Sequence, residues 1–308
     1  QQITTSTNKH ISTSPSTTSN PFQIDFIGIG ASKAGTTWLG HMIGDHPELC
    51  MSEPKEVHFF NDRLAFRTNI LKPNYKKGID WYRKYFNHCP PGSIKGEITP
   101  RYFTDPVVPE RIKALNSNVK ILVCIRNPVD RIYSHYHFAK SFLQKEDRPM
   151  LQAVMEEPEY LDMSMYHHNI SMYLEHFPRE QFFFVWFEDI RNRPEQLLSE
   201  LYAFLGVNPD YRPKGMVEKS NPARRSRYAW LQSGIRRLHY FMVSIGLSGT
   251  IRWLKRAGMK DLVMWFNSKP IKKEPMPPEA KAYIIDKVRE DVSQLEKLLN
   301  RDLSHWLT

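Results

Sequence analysis

The chain has 308 residues, enough for one large core or two modest ones, and its 41% hydrophobic and 12% aromatic content excludes a disordered protein. A formal net charge of +10 and a pI near 9.4 point to an anionic partner (a nucleotide, a nucleic acid, an acidic polysaccharide or a membrane surface), with plain surface solubility as the simpler reading. Three cysteines, Cys50, Cys89 and Cys124, are too few and too scattered for a disulfide framework or a zinc site, although a Cys50–Cys89 bridge stays open, and no apolar run approaches the ~20 residues of a membrane span.

Residues 1–22 are rich in Ser, Thr and Asn and read as a flexible tail; the chain starts without Met, so a preceding anchor stays open. The stretch IDFIGIGASKAGTTWLGHMI, residues 24–43, then runs from a strand through a glycine turn into a helix. Gly30, Gly35 and Thr37 fit the G-x-x-x-x-G-K-[ST] phosphate loop, but Thr36 stands at the lysine position and the lysine is Lys33, inside the loop. Amides of Ala34 to Thr37 at a helix start would face an anion, helped by the Thr36 and Thr37 hydroxyls and the Lys33 charge. The plainer alternative is a glycine turn with a solvated lysine.

Further along, residues 93–98 are predicted as a short strand and 106–116 as a helix with Pro109 near its start. VKILVCI, 119–125, is the clearest buried strand, and a helix with Pro128 in its first turn follows it. QFFFVWF, 181–187, is a second buried strand, followed by the helix RPEQLLSELYAFLGV. Residues 231–266 mix aromatics with Arg236, Arg237, Arg252, Lys255 and Arg256, and 231–275 reads as a helical insertion or lid. Residues 276–300 form an amphipathic helix opened by Pro277 and Pro278, and no internal repeat is present.

Strand followed by helix, repeated, predicts an α/β fold: a parallel sheet with helices on both faces, one domain over residues 23–308 and a helical C-terminal region. Ligands bind such sheets at the carboxyl ends of the strands, so loops 30–37 and 126–134 are expected to face one crevice.

SKAGTTWL, residues 32–39, resembles the 5′-phosphosulfate loop of sulfotransferases that use 3′-phosphoadenosine 5′-phosphosulfate (PAPS). The resemblance implies a P-loop-like fold, PAPS as co-substrate with 3′-phosphoadenosine 5′-phosphate (PAP) as product, and no metal. It implies nucleotide contacts from Lys33, Ala34, Gly35, Thr36, Thr37 and Trp38, with Lys33 near the bridging oxygen of the leaving group. CIRNPVDRIYSHYHF is similar to the family's 3′-phosphate site, which implies roles for Arg126 and Ser134; Arg131 reads as structural or surface. A planar guanidinium suits a phosphate because it offers two parallel charge-assisted bonds.

PKEVHFFND, 54–62, resembles the base-bearing segment of the heparan sulfate branch, which implies Glu56 as general base and His58 as a supporting catalytic residue. Asn61 followed by Asp62 departs from the branch's Asp after the Phe pair. GEITPRYF, 96–103, resembles a further segment of the branch with Ile98 replacing its lysine, and leaves Glu97, Thr99 and Tyr102 as acceptor-cleft candidates. EKSNPARRSRY, 218–228, sits where the family has a basic loop over the nucleotide, with Lys219, Arg225 and Arg227 as candidates.

The resemblance covers most of residues 24–228 and implies in-line sulfuryl transfer to an acceptor hydroxyl or amine on a carbohydrate, and an acidic acceptor would explain the basic balance. A lipid or small-molecule alcohol is the alternative acceptor, and peripheral membrane contact through 231–266 is compatible with either. A nucleotide kinase is disfavoured by Thr36, and a non-enzymatic nucleotide- or nucleic-acid-binding protein by the lack of a reader module; nucleic acid is not expected as a partner. A cytoplasmic location is expected, with a lumenal domain of an anchored enzyme as the alternative, for which the sequon Asn169-Ile170-Ser171 speaks.

Overall fold

A strand buried on both faces must be apolar at every position, and the two longest such runs lie at the centre of the fold. The structure is a computed structural model that describes residues 22–65, 68–71, 74–214, 216, 224–226, 234, 235, 238, 241, 242, 268–270 and 274–308. Its first strands are β1 (Phe26–Gly30) and β2 (Leu49–Met51). A separate antiparallel pair, β3 (Arg63–Ala65) and β4 (Thr68–Leu71), precedes β5 (Ile94–Ile98), β6 (Lys120–Ile125) and β7 (Phe182–Trp186). Five of these form one sheet in the order β2-β5-β1-β6-β7, with every pairing parallel. Phe26, Ile27 and Ile29 of β1 and Ile121 to Ile125 of β6 have no exposed surface.

Helices flank the sheet. Helix α1 (Thr36–Asp45) carries the chain from β1 towards β2, on one side; α2 (Ile79–Arg83) precedes β5. Helices α3 (Val108–Leu115) and α4 (Pro128–His137) carry it the other way, into β6 and then onward to β7. Right-handed crossovers in opposite directions put their helices on opposite faces, and the reversal lies between β1 and β6. A crevice therefore opens at the carboxyl ends of these two neighbours. That is where both loops singled out in the sequence emerge.

Helix α4 continues as a π turn over Phe138–Leu143, and α5 (Met150–Glu156), α6 (Glu159–Asp162) and α7 (Tyr166–Leu174) follow. Helices α8 (Phe187–Asn192) and α9 (Pro194–Leu205) come after β7. The last helix, α10 (Pro278–Leu299), buries Ala280, Ile284, Val288, Val292 and Leu295, the stripe its amphipathic pattern predicts. Its buried Asp291 accepts the His167 and His168 amides at the start of α7, tying the C-terminal region to the fold.

A short antiparallel ladder joins β8 (Arg224–Ser226) to β9 (Ser268–Pro270). The expectation of a tail over 1–22 falls, except for Phe22, outside the described residues, as does most of the expected insertion at 231–275. Among the described residues no helix is long and apolar enough to cross a membrane.

The open question over Cys50 and Cys89 is resolved: they form a disulfide, 39 residues apart in sequence. A loop of that length carries about 4 kcal/mol of closure entropy, so a Cys50→Ser, Cys89→Ser protein should lose roughly that stability in a urea titration. His88 lies 3.6 Å from Cys50 Sγ, but the sulfurs bond each other and so do not form a metal site in this state. The sequon is corrected too. Asn169 is only 2% exposed and its amide donates to the Asp162 and Met165 carbonyls, so the folded chain presents no glycan acceptor there.

Candidate active site

The loop after β1 turns in a way that only certain residues allow. Gly35 has φ 104°, and a Cβ there would sit 2.5 Å from Ile190 Cδ1, so glycine alone fits where α1 begins. Lys33 also lies in the left-handed region, at φ 68°. The N-cap of α1 is Gly35, which has no side chain to cap the first-turn amides, and a helix start of this kind is suited to an anion. Thr37 is exposed there, Thr36 is buried, and Lys33 is half-buried with its Nζ 4.0 Å from the centre of the Phe138 ring. The Trp38 side chain points into the core and donates to the Met216 carbonyl, so only its backbone is available to a ligand.

Two arginines, one just after β6 and one in the first turns of α4, hold this loop by its carbonyls. Arg126 donates to the Lys33 carbonyl at 3.2 Å, and Arg131 donates to the Ser32 carbonyl at 3.4 Å. Arg131 has no exposed surface and also donates to Ser164 Oγ and the Tyr160 carbonyl, which makes it structural, the first of its two sequence readings. Arg126 stacks on Phe187 at 4.3 Å and lies 3.8 Å from Asp130, while its buried Nε has no hydrogen-bond partner among the described residues. A buried charged donor left unpaired is expensive, and an anion in the crevice would satisfy it. Burial holds its pKa below the usual guanidinium value, with the Asp130 carboxylate opposing. Asn127 caps α4 by accepting the Val129 and Asp130 amides, and Ser134 lies half-buried further along that helix.

On the other flank, the segment after β2 brings in carboxylate and imidazole. Glu56 Oε1 lies 3.5 Å from Lys55 Nζ, and Glu56 Oε2 lies 3.8 Å from His58 Nε2. The Glu56 side chain is 46% exposed and His58 18%, which leaves the carboxylate accessible and the imidazole tucked behind it. The Lys55 stem packs on α1, since a Cβ on Gly40 would meet Lys55 Cε at 3.0 Å. The segment therefore rests on the helix that begins at the loop after β1. Asn61 is buried, and Asp62 is taken by Arg111 at 2.8 and 3.0 Å, which holds its carboxyl below the usual carboxylate range. Asp62 is thus not an assisting carboxylate.

The expectation that Glu97, Thr99 and Tyr102 line an acceptor cleft is not met. All three have no exposed surface, because β5 lies inside the sheet and Phe59, Phe60 and Tyr82 close over its end. Tyr82 and Tyr102 donate to Glu97 Oε1 at 2.7 and 2.8 Å, and Thr99 Oγ1 donates to Oε2 at 2.8 Å. The role of Tyr82 carried no sequence signal, since nothing in its own stretch marks it as a partner of a distant acid. Burial raises the Glu97 pKa to about 7, against the lowering effect of these hydrogen bonds. The folded state then holds a proton that the unfolded chain has released, so this contribution is full below about 4.5 and lost as pH rises through about 7. Glu97→Gln should flatten that decline in a pH series of melting temperatures.

Of the basic loop, Lys219 and Arg227 lie outside the described residues, and Arg225 is described by its backbone alone, in β8. That strand lies against the Phe138–Leu143 turn, whose Phe138 also meets Lys33.

Several known proteins are similar to this chain. Heparan sulfate glucosamine 3-O-sulfotransferase 5 of Mus musculus is 30% identical over 194 residues, which cover 59% of this chain and 53% of that protein. The membrane-associated sulfotransferase kil1 of Dictyostelium discoideum is 23% identical over 289 residues, 63% of this chain and 59% of that protein. The chain thus spans little more than half the length of these relatives. In fold it resembles the crystal structure of a sulfotransferase from Alicyclobacillus acidocaldarius, with a TM-score of 0.66 at 22% identity, covering 93% of this chain and all of that one. Residues 23–222, more than half of the chain, match the sulfotransferase domain, and the chain belongs to that family.

Proposed function

We propose that this chain is a PAPS-dependent sulfotransferase that transfers a sulfuryl group to a hydroxyl or amine of a carbohydrate. The observation that carries the nucleotide reading is the buried Nε of Arg126, without a partner among the described residues, beside a helix start whose N-cap is a glycine, a donor set that fits a phosphate. Arg126 and Ser134 would hold the 3′-phosphate, and Lys33 with the amides of Gly35 to Trp38 the 5′ side, since the Ala34 amide already donates to the Ala31 carbonyl at 3.4 Å. Bound there, the donor supplies an activated sulfuryl group whose bond to phosphate breaks as the acceptor oxygen or nitrogen attacks sulfur. Glu56 takes the proton from the acceptor, and His58, 3.8 Å away, steadies the carboxylate. Lys33 stabilises the charge that develops on the departing phosphate oxygen.

The carbohydrate acceptor rests on the relatives named for heparan sulfate and on the K-E-x-H-F-F pattern around Glu56. The net charge of +10 suits an acidic glycan. The Cys50–Cys89 bridge favours an oxidising compartment, and so the lumenal alternative over the cytoplasmic one.

Arg126→Ala should weaken PAP binding by about 1.5–3 kcal/mol, the range for hydrogen bonds to charged groups. Isothermal titration with PAP checks this; wild-type affinity in the variant would remove Arg126 from the 3′-phosphate.

A further inference from the structure

Residues 54–61 belong to no helix and no strand of the sheet, so their buried amides need acceptors from elsewhere. Val57, Phe59 and Phe60 are 2%, 2% and 0% exposed, and all three amides lead to one carboxyl group. The Val57 amide donates to Glu97 Oε2 at 3.3 Å. Those of Phe59 and Phe60 donate to the Tyr102 hydroxyl at 2.9 and 3.3 Å, and that hydroxyl donates to Glu97 Oε1 at 2.8 Å. Between these anchors His58 sits at φ 56°, a conformation a non-glycine residue keeps only where its surroundings over-determine it.

We propose that Glu97 is the positioning residue of the base-bearing segment: its buried carboxyl fixes the amides on either side of His58, and with them the direction of Glu56. This rests on Glu56 acting as base. Once ionised, as pH rises through about 7, the carboxylate can accept from all its neighbours at once, with two sites on each oxygen. Its neighbours are the Val57 amide, the Thr99 hydroxyl and the hydroxyls of Tyr82 and Tyr102. Burial and the Glu97 charge keep both tyrosines far above their usual pKa, so they remain donors. Glutamine has the same shape but turns an NH₂ towards two of these donors. The hydroxyls can rotate to suit it; the amide of Val57 cannot.

The test compares Glu97→Gln and Tyr102→Phe, each alone and combined with Glu56→Gln, by turnover of PAPS with a glycan acceptor and by PAP affinity. Each single variant should lower turnover about 10²-fold, the effect of misplacing a reacting group by about 1 Å, with PAP affinity unchanged. Combined with Glu56→Gln, either should lower turnover by no more than about twofold beyond Glu56→Gln alone, because the group it positions is already gone. A merely structural role would instead multiply the two losses and overturn the proposal. Amide exchange at Val57, Phe59 and Phe60 should accelerate in the same variants; unchanged protection would also overturn it. If Glu97→Gln does not fold, Tyr102→Phe, which keeps the ring, carries both measurements. Were Glu56→Gln itself silent, the base assignment would fall, and the same cycle run against His58→Ala would still decide whether Glu97 positions the segment.

Discussion

Glu56→Gln should lower turnover by about 10²–10⁴-fold, the usual contribution of a general base, while PAP affinity and melting temperature stay at wild-type values. The amide keeps the shape of the carboxylate but cannot take a proton. The competing reading is that Glu56 is a surface acid paired with Lys55. Its side chain is 46% exposed and the pair is 3.5 Å apart, and such pairs contribute only about 0–1 kcal/mol to stability. Under that reading turnover would not change, so the two readings differ by at least two decades in one assay. His58 adds a control. If His58→Ala were inactive while Glu56→Gln turned over normally, the imidazole would be the base and Glu56 its neighbour.

Lys33→Ala should lower turnover by about 10²–10³-fold, comparable to removing one preorganised donor from a site of developing charge. PAP affinity should fall much less, because the partner charge of Lys33 is largest in the transition state. The ammonium lies over the Phe138 ring at 4.0 Å, a contact that holds the side chain near the loop. Steady-state kinetics separates the outcomes: kcat and kcat/KM falling together supports the assignment. A rise in KM alone would make Lys33 a ground-state contact.

Much of this arrangement is legible in the sequence, for identifiable reasons. The strands at 26–30, 120–125 and 182–186 stand out because full burial in a parallel sheet demands long apolar runs. The candidate phosphate loop is visible because glycine and lysine stand at positions with φ of 104° and 68°, and Arg126 because it follows a strand directly beside that loop. Two kinds of residue were not legible. Glu97 and Thr99 look like cleft residues by type, and their burial depends on Tyr82, from a separate helix, and on Phe59 and Phe60. Likewise the full burial of Arg131 depends on Ser164 and the Tyr160 carbonyl, over 28 residues away in sequence. Contacts of that range leave no periodicity in either stretch. The short strand β2 and the pair β3 and β4 span only three or four residues each, too few for a pattern to register.

The most direct measurement is transfer of labelled sulfate from PAPS to a panel of polysaccharides that includes heparan sulfate and its desulfated forms. Label should appear on at least one polysaccharide, with one PAP released per sulfate transferred, and should be lost in Glu56→Gln. No label on any polysaccharide, together with label on a lipid or small-molecule alcohol, would contradict the carbohydrate acceptor. No transfer from PAPS to any acceptor by a protein that hydrolyses ATP would contradict sulfuryl transfer itself.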